Sequence, residues 1–269
     1  KIQVEKYPQS KGRVSASDIA KYGMGTPGEP TQGAGSVAML ISQNPRILAF
    51  NDDNVAQTRD VMDFWRPNYA TTPFVNGLYS TQQYLDSLKT TWAEYQKRTG
   101  LNLRDFAAVC FHLPYPKLAL KGLKKILDKS LSEDQKAQLQ YNFDQSILYS
   151  QRIGNIYTAS LFLGLLSLLE NQPQLKAGDR IALFSYGSGA VAEIFSANLV
   201  PGYEQMLVSK RMEKLDQRTV LSVEDYERLF YEEVDLDPNG NQVFEPTAHQ
   251  TYALTEIKEH QRIYQKVEK

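Results

Sequence analysis

The chain has 269 residues, 42% of them hydrophobic and 11% aromatic, which is enough to bury one large core or two modest ones and too apolar for a disordered segment. Its 30 lysines and arginines against 31 aspartates and glutamates leave a formal charge of -1, which argues against a surface built to neutralise nucleic-acid phosphates and for small or neutral partners. The single cysteine, Cys110, argues against a disulfide framework or a cysteine-rich zinc site and suits a reducing cytosol.

In chain order, the start Lys1-Ile2-Gln3-Val4-Glu5-Lys6 has neither an initiator methionine nor the apolar core of a signal peptide, and reads as an interior beginning. Residues 16–35 are dense in Gly, Pro, Thr and Asp, the chemistry of a long loop of the kind that carries function. Residues 36–42 and 46–50 read as two short strands around Gln43-Asn44-Pro45, a hairpin finishing a unit. Over 81–98 the apolar Tyr84, Leu85, Leu88, Trp92 and Tyr95 recur at three- and four-residue spacing, predicting an amphipathic helix capped by Ser80 or Thr81.

A small, apolar strand is expected over 106–111, then a basic helix over 116–129 and a helix opening at Ser132-Glu133-Asp134. An apolar helix follows over 157–169, its most apolar part short of the roughly 18 residues of a membrane span, so the protein reads as soluble. Residues 181–186 and 191–199 are strand candidates flanking Gly187-Ser188-Gly189. Helices alternating with buried strands predict a layered α/β domain. Beyond Gly202 the chain turns charged and helical, with 220–233 the clearest element and a polar tail after it.

Several residues are candidates for chemistry. His112 closes the strand over 106–111 and is followed by Leu113-Pro114, so the backbone leaves the sheet there and presents an imidazole at a strand end, where ligands of α/β sheets bind. A core histidine bonded to a backbone carbonyl fits the same local pattern. Cys110, two residues earlier, reads as small core filler rather than as a partner nucleophile, because free cysteine is among the most buried residue types. Lys117, Lys121 and Lys124 lie at helical spacing, a face that suits either phosphates or plain solvent. Asn155 precedes the apolar helix as a cap whose amide is also free to point into a site. In Phe184-Ser185-Tyr186-Gly187-Ser188-Gly189 the glycines allow close backbone approach to a carbonyl oxygen or anion. The run Asp235-Leu236-Asp237-Pro238-Asn239-Gly240-Asn241 imitates a calcium loop, but Pro246 stands where the bidentate glutamate is needed, so it reads as a turn. His249 and His260 have no ligand-like neighbours in sequence.

The order and spacing of six motifs resemble hydroxymethylglutaryl-CoA synthase, particularly the bacterial form, within the thiolase superfamily. They are Ser17-Asp18-Ile19-Ala20-Lys21-Tyr22-Gly23, the run Gly28 to Gly35, Asp63-Phe64-Trp65-Arg66-Pro67, Phe111-His112-Leu113-Pro114-Tyr115, Gly154-Asn155-Ile156-Tyr157 and Ser185-Tyr186-Gly187-Ser188-Gly189. The resemblance covers nearly the whole chain. It implies a thiolase-like five-layered αβαβα fold, residues 1–50 ending its first half and 51–269 forming its second. It also implies condensation of acetyl-CoA with acetoacetyl-CoA in the mevalonate pathway, with no resident cofactor or metal, in a cytoplasmic homodimer. His112 matches the family's histidine, which acts on the acetoacetyl carbonyl. By the same matching Tyr22, Thr31, Asn155 and Ser188 line the acyl site, Lys117 and Lys121 lie along CoA, and Asp63 is a further substrate-site residue. The family's nucleophilic cysteine and its glutamate belong to an N-terminal segment expected to precede Lys1, and this chain needs that segment to act. Lys11-Gly12-Arg13-Val14-Ser15 is polar where family members are apolar, weakening a strand expected to be central, and Asn76 stands where an aspartate is usual. A related enzyme that performs β-branching on carrier-protein-bound polyketides, and a non-catalytic CoA-binding or dimerisation fragment, are the rival readings.

Overall fold

The structure, a computed structural model, describes residues 6–7, 9–208, 210–246 and 251–267; His249 lies outside them. The chain divides into two units, Lys1–Asp216 and Gln217–Lys269.

In the first unit, β1 (Gly12–Ala20) and β2 (Gly33–Ile41) pair antiparallel over nine residues each, with Gly12 opposite Ile41 and Ala20 opposite Gly33. The polar start of β1 is a strand all the same, because its backbone is satisfied by β2 while Arg13 and Ser15 stay exposed. The expected hairpin between 36–42 and 46–50 does not form. Pairing β2 with β1 satisfies far more backbone groups than a hairpin with the short second segment, which becomes β3 (Leu48–Phe50) at the edge of another sheet.

That larger sheet contains β3, β4 (Val55–Thr58), β7 (Ala108–Phe111), β8 (Arg180–Gly187) and β9 (Val191–Leu199); a separate two-residue pair joins β5 (Phe64–Trp65) to β6 (Phe74–Val75). Strand β7 runs parallel to β8, β8 antiparallel to β9, and the outer edge of β9 is shared by β4 opposite Val191–Ile194 and β3 opposite Ala197–Leu199. Between those short strands Asp53 accepts from the amide of Ser196 at 3.0 Å and from the Tyr95 hydroxyl at 2.6 Å, so the break in the edge is filled by side-chain bonds.

Helix α1 (Gly77–Thr99) starts earlier than the sequence periodicity implies. Its cap is Asn76, whose side chain accepts from the Tyr79 amide, and Ser80 and Thr81 lie inside the helix. Helix α2 (Pro116–Ile126) ends three residues before Lys129, where Leu127 leaves helical geometry. Helix α3 (Glu133–Ser146) opens at Ser132 with the expected capping box to Gln135. Helices α4 (Leu148–Ile153), α5 (Ala159–Asn171) and α6 (Arg211–Asp216) also belong to the unit.

Strand side chains alternate, and each face of the larger sheet is covered. Val109, Phe111, Ala182, Phe184 and Ile194 pack with Tyr84, Leu88, Trp92, Leu123 and Phe143 from α1, α2 and α3. Ala108, Cys110, Ile181, Leu183 and Ala197 pack with Leu161, Leu165 and Leu168 from α5. The opposite side of α5, through Ala159 and Leu163, packs with Ala16 and Val37 of β1 and β2. A helix between two sheets must be apolar on all sides, which explains the composition of Ala159–Asn171. The layers therefore run helix, sheet, helix, sheet.

The second unit contains α7 (Val223–Tyr231), capped by Ser222, and a three-stranded antiparallel sheet of β10 (Gln242–Val243), β11 (Tyr252–Lys258) and β12 (Gln261–Lys266). The polar tail expected here is a hairpin instead. Only Ala253 and Ile257 of it are buried, too thin an apolar signal to mark a strand against so many polar neighbours. The 235–241 run is a turn, with the Asp237 carboxylate accepting from the amides of Asn239 and Asn241.

Candidate active site

Strand β7 ends at Phe111, and the backbone of His112 makes one more sheet bond, its N–H donating to Phe184 O at 2.7 Å. The imidazole is thus carried at the C-terminal end of the parallel pair β7 and β8. Its ring centroid lies 6.5 Å from that of Tyr186. Burial lowers the His112 pKa to about 4, so the ring is neutral at physiological pH. Cys110 faces the α5 side of the sheet and burial raises its thiol to about 12; it is core filler, and an unreactive thiol.

Asp63 gathers the hydroxyls next to Tyr186. It is fully buried, and its Oδ2 accepts from the Ser188 hydroxyl at 2.9 Å, the Ser80 hydroxyl at 3.0 Å and the Tyr186 hydroxyl at 3.1 Å. Its Oδ1 is buried without a partner among the described residues. Burial and then the Asp63 charge hold the Tyr186 phenol protonated and donating. Ser188 is exposed, so the cluster opens to solvent at the turn between β8 and β9.

One face of α1 serves all of this, since positions four and three apart lie on one side of a helix. Ser80 donates to Asp63, Tyr84 donates to the His112 carbonyl at 2.9 Å, and Ser87 accepts from Arg59 at 2.9 Å. Sequence reading missed Ser80 because it was assigned to a cap, and missed Tyr84 because it was counted only as core.

A second group lies where the loop after β1 crosses the turn before α5. Asn155 is a cap for that turn, its Oδ1 accepting from the Tyr157 amide at 2.9 Å and the Ser160 hydroxyl at 3.1 Å. Its Nδ2 donates to the Tyr22 hydroxyl at 2.7 Å. The Asn155 amide in turn donates to Thr31 O at 3.0 Å, and the Thr31 hydroxyl to Gly28 O at 2.8 Å. Two glycines permit the crossing. A Cβ on Gly33 would sit 2.5 Å from Ile153 O, and one on Gly154, whose φ is +84°, would sit 2.0 Å from Gln32 O. Tyr22 packs edge-on against Phe64 and Tyr157, with centroids 6.0 and 6.3 Å away, and its phenol is raised by burial and then by the hydrogen bond with Tyr157. Phe64 follows Asp63 in sequence, so the Asp63-Phe64 pair contributes to both groups.

Lys117, Lys121, Lys124 and Lys125 are exposed on α2, which starts four residues after His112. The structure thus brings Asp63, Ser188 and Tyr186 into one cluster, with the His112 ring centroid 6.5 Å from that of Tyr186, and brings Tyr22, Thr31 and Asn155 into another, with Lys117 and Lys121 on the helix that leaves the His112 strand.

A site at the ends of strands in stacked sheet and helix layers is the arrangement of the thiolase-like α/β fold. The family model for the C-terminal part of hydroxymethylglutaryl-coenzyme A synthase matches residues 54–140 and 123–267. The chain is 49% identical over 239 residues to a hydroxymethylglutaryl-CoA synthase from Enterococcus faecalis, covering 88% of this chain and 62% of that protein. It superposes with a TM-score of 0.96 and 64% identity on a crystal structure of HMG-CoA synthase complexed with CoA, covering 99% of this chain and 69% of that one. It is also 33% identical over 241 residues to the polyketide biosynthesis 3-hydroxy-3-methylglutaryl-ACP synthase PksG of Bacillus subtilis, covering 83% of this chain and 57% of that protein. The chain belongs to the hydroxymethylglutaryl-CoA synthase family, and spans about three fifths of the length of these curated relatives.

Proposed function

We propose that the protein carrying this chain condenses acetyl-CoA with acetoacetyl-CoA to give hydroxymethylglutaryl-CoA for the mevalonate pathway, as a cytoplasmic homodimer without a resident cofactor. Residues 1–50 end the first thiolase-like half and 51–269 form the second. No helix among the described residues is long and apolar enough to cross a membrane.

The observation that carries the reading is His112 at a strand end, neutral and beside Tyr186, whose hydroxyl joins Ser188 on Asp63. In the condensation the methyl carbanion of an acetyl thioester attacks the ketone carbon of acetoacetyl-CoA. The new C–C bond forms as the carbonyl π electrons move onto oxygen. A neutral imidazole donates an N–H to that oxygen and offsets the growing charge, a contribution of about 10²–10⁴-fold for a positioned acid–base group. Tyr22, Thr31, Asn155 and Ser188 shape the acyl site, Asp63 orients the hydroxyls, and Lys117 and Lys121 lie along CoA. Cys110 is no nucleophile, so the acetyl-carrying cysteine and the glutamate that removes the methyl proton come from a segment outside these residues.

The test is CoA release from acetyl-CoA plus acetoacetyl-CoA, measured on this chain alone and on the chain joined to the N-terminal part of the Enterococcus faecalis relative. Condensation by the joined protein alone supports the reading, and with His112→Ala acetylation of the cysteine survives while condensation falls by about 10²-fold or more. A joined protein that is acetylated but never condenses, with His112 intact, overturns it. Turnover with carrier-protein-bound acyl groups but not with free CoA thioesters favours the β-branching alternative.

A further inference from the structure

We infer that Arg59 is a positioning residue of this site: anchored on Ser87 of α1, it holds the Ser188 turn against the segment that carries Asp63. The inference rests on the reading above for its link to catalysis, but its structural part stands separately.

The turn between β8 and β9 has little to hold it. Gly187 and Gly189 have no side chains, and a Cβ built on either meets nothing within 4 Å. Its position is set by backbone bonds to the segment after β4. The Arg59 amide donates to Ala190 O at 2.9 Å, the Ala190 amide donates back to Arg59 O, and the Val61 amide donates to Gly189 O at 2.9 Å. This ladder brings Ser188 alongside Asp63, where its hydroxyl reaches Oδ2. The ladder is itself fastened from one side by Arg59, whose guanidinium donates to Ser87, a residue 4% exposed on α1 and one turn beyond Tyr84. A surface arginine would give its donors to water; this one gives one to a buried hydroxyl on the helix face that also holds His112 through Tyr84. The positive charge also acts on the Tyr186 hydroxyl in the sense opposite to Asp63.

The experiment compares the complete protein with Arg59→Gln, Arg59→Lys and Ser87→Ala variants. It reads amide hydrogen exchange over residues 59–61 and 187–191, the thermal midpoint, and kcat and KM for condensation. In Arg59→Gln, exchange at Val61 and Ala190 rises about tenfold or more while the rest of the sheet keeps its protection. Its kcat falls about tenfold with KM within about twofold, and Arg59→Lys recovers most of the loss. Ser87→Ala reproduces the exchange change. Unchanged exchange at Val61 and Ala190 in Arg59→Gln overturns the proposal, and so does faster exchange spread over the whole sheet together with a lowered midpoint. If local exchange rises but the unsubstituted protein does not condense the two thioesters, the assigned reaction fails and the positioning role remains.

Discussion

The Tyr84 hydroxyl donates to the backbone carbonyl of His112 at 2.9 Å from a side chain that is 1% exposed, so α1 grips the chain at the point where it leaves β7. The same ring lies edge-on to Phe184 and Tyr186, each centroid 5.3 Å away. The helix therefore aligns the histidine by its backbone and the neighbouring phenol by its ring.

Tyr84→Phe keeps the packing and deletes that one bond, leaving the His112 carbonyl without its phenol. Stability falls by about 1–2 kcal/mol, seen as a lower urea midpoint at unchanged slope. The proposed condensation, measured on the joined protein, falls further than stability predicts, because the imidazole loses its alignment. An unchanged kcat would mean that β7 and Phe184 suffice to place His112.

The lowered His112 pKa makes stability depend on pH in a defined direction. The unfolded chain takes up this proton near pH 6.5 and the folded chain only near 4, so between those values the unfolded state binds more protons and stability drops as pH falls. Above about pH 7 the group contributes no slope. Denaturation of wild type and His112→Asn across pH 4 to 8 checks this. The variant is expected to lose the part of the acid slope that belongs to His112, and equal slopes would show an imidazole that protonates freely.

Asp63→Asn separates fold from function at one atom. An amide oxygen still accepts from Ser80, Tyr186 and Ser188, and the unpartnered Oδ1 gives way to a neutral group. Unfolding free energy is expected to fall by about 1–3 kcal/mol, because the amide puts N–H donors where Oδ1 had no partner, while the proposed condensation drops at least about tenfold as the charge that organises the three hydroxyls disappears. A larger loss in denaturation would instead make the carboxylate a structural keystone.

Gly154→Ala tests the crossing beneath Asn155. The added Cβ would lie 2.0 Å from Gln32 O at a φ of +84°, so the loop after β1 has to move away. A destabilisation above about 2 kcal/mol is expected, with loss of the Tyr22 to Asn155 bond. Near-wild-type stability and intact chemical shifts at Asn155 would contradict the close approach.

Much of the architecture was legible before any coordinates. The helical spacing of Tyr84, Leu88, Trp92 and Tyr95, the Ser132 capping box, and strand β9 at its observed limits are local signals that the backbone obeys. The motifs around His112, Asn155 and Ser188 supplied the segments of the candidate site and, through the resemblance, the family. Pairing was not legible. Segment 46–50 looks like half of a hairpin and instead pairs antiparallel beside β9, because strand partners are chosen by distant surfaces that compete for the same backbone groups. The hairpin of β11 and β12 escaped notice for want of buried residues.

What the sequence determined by itself is therefore where the strongly periodic and capped helices and the most apolar strands lie, and which residues are chemically able to serve, since periodicity, caps and glycines act over a few residues. Only the tertiary structure decided that Asp63 and Ser188, 125 positions apart, share a hydrogen bond, that Ser80, Tyr84 and Ser87 each support a different part of the candidate site, and that Cys110 is packed against Leu161, Leu165 and Leu168 of α5. Those relations depend on which faces are brought together when the layers stack to bury their apolar sides, and no short stretch of chain contains that information.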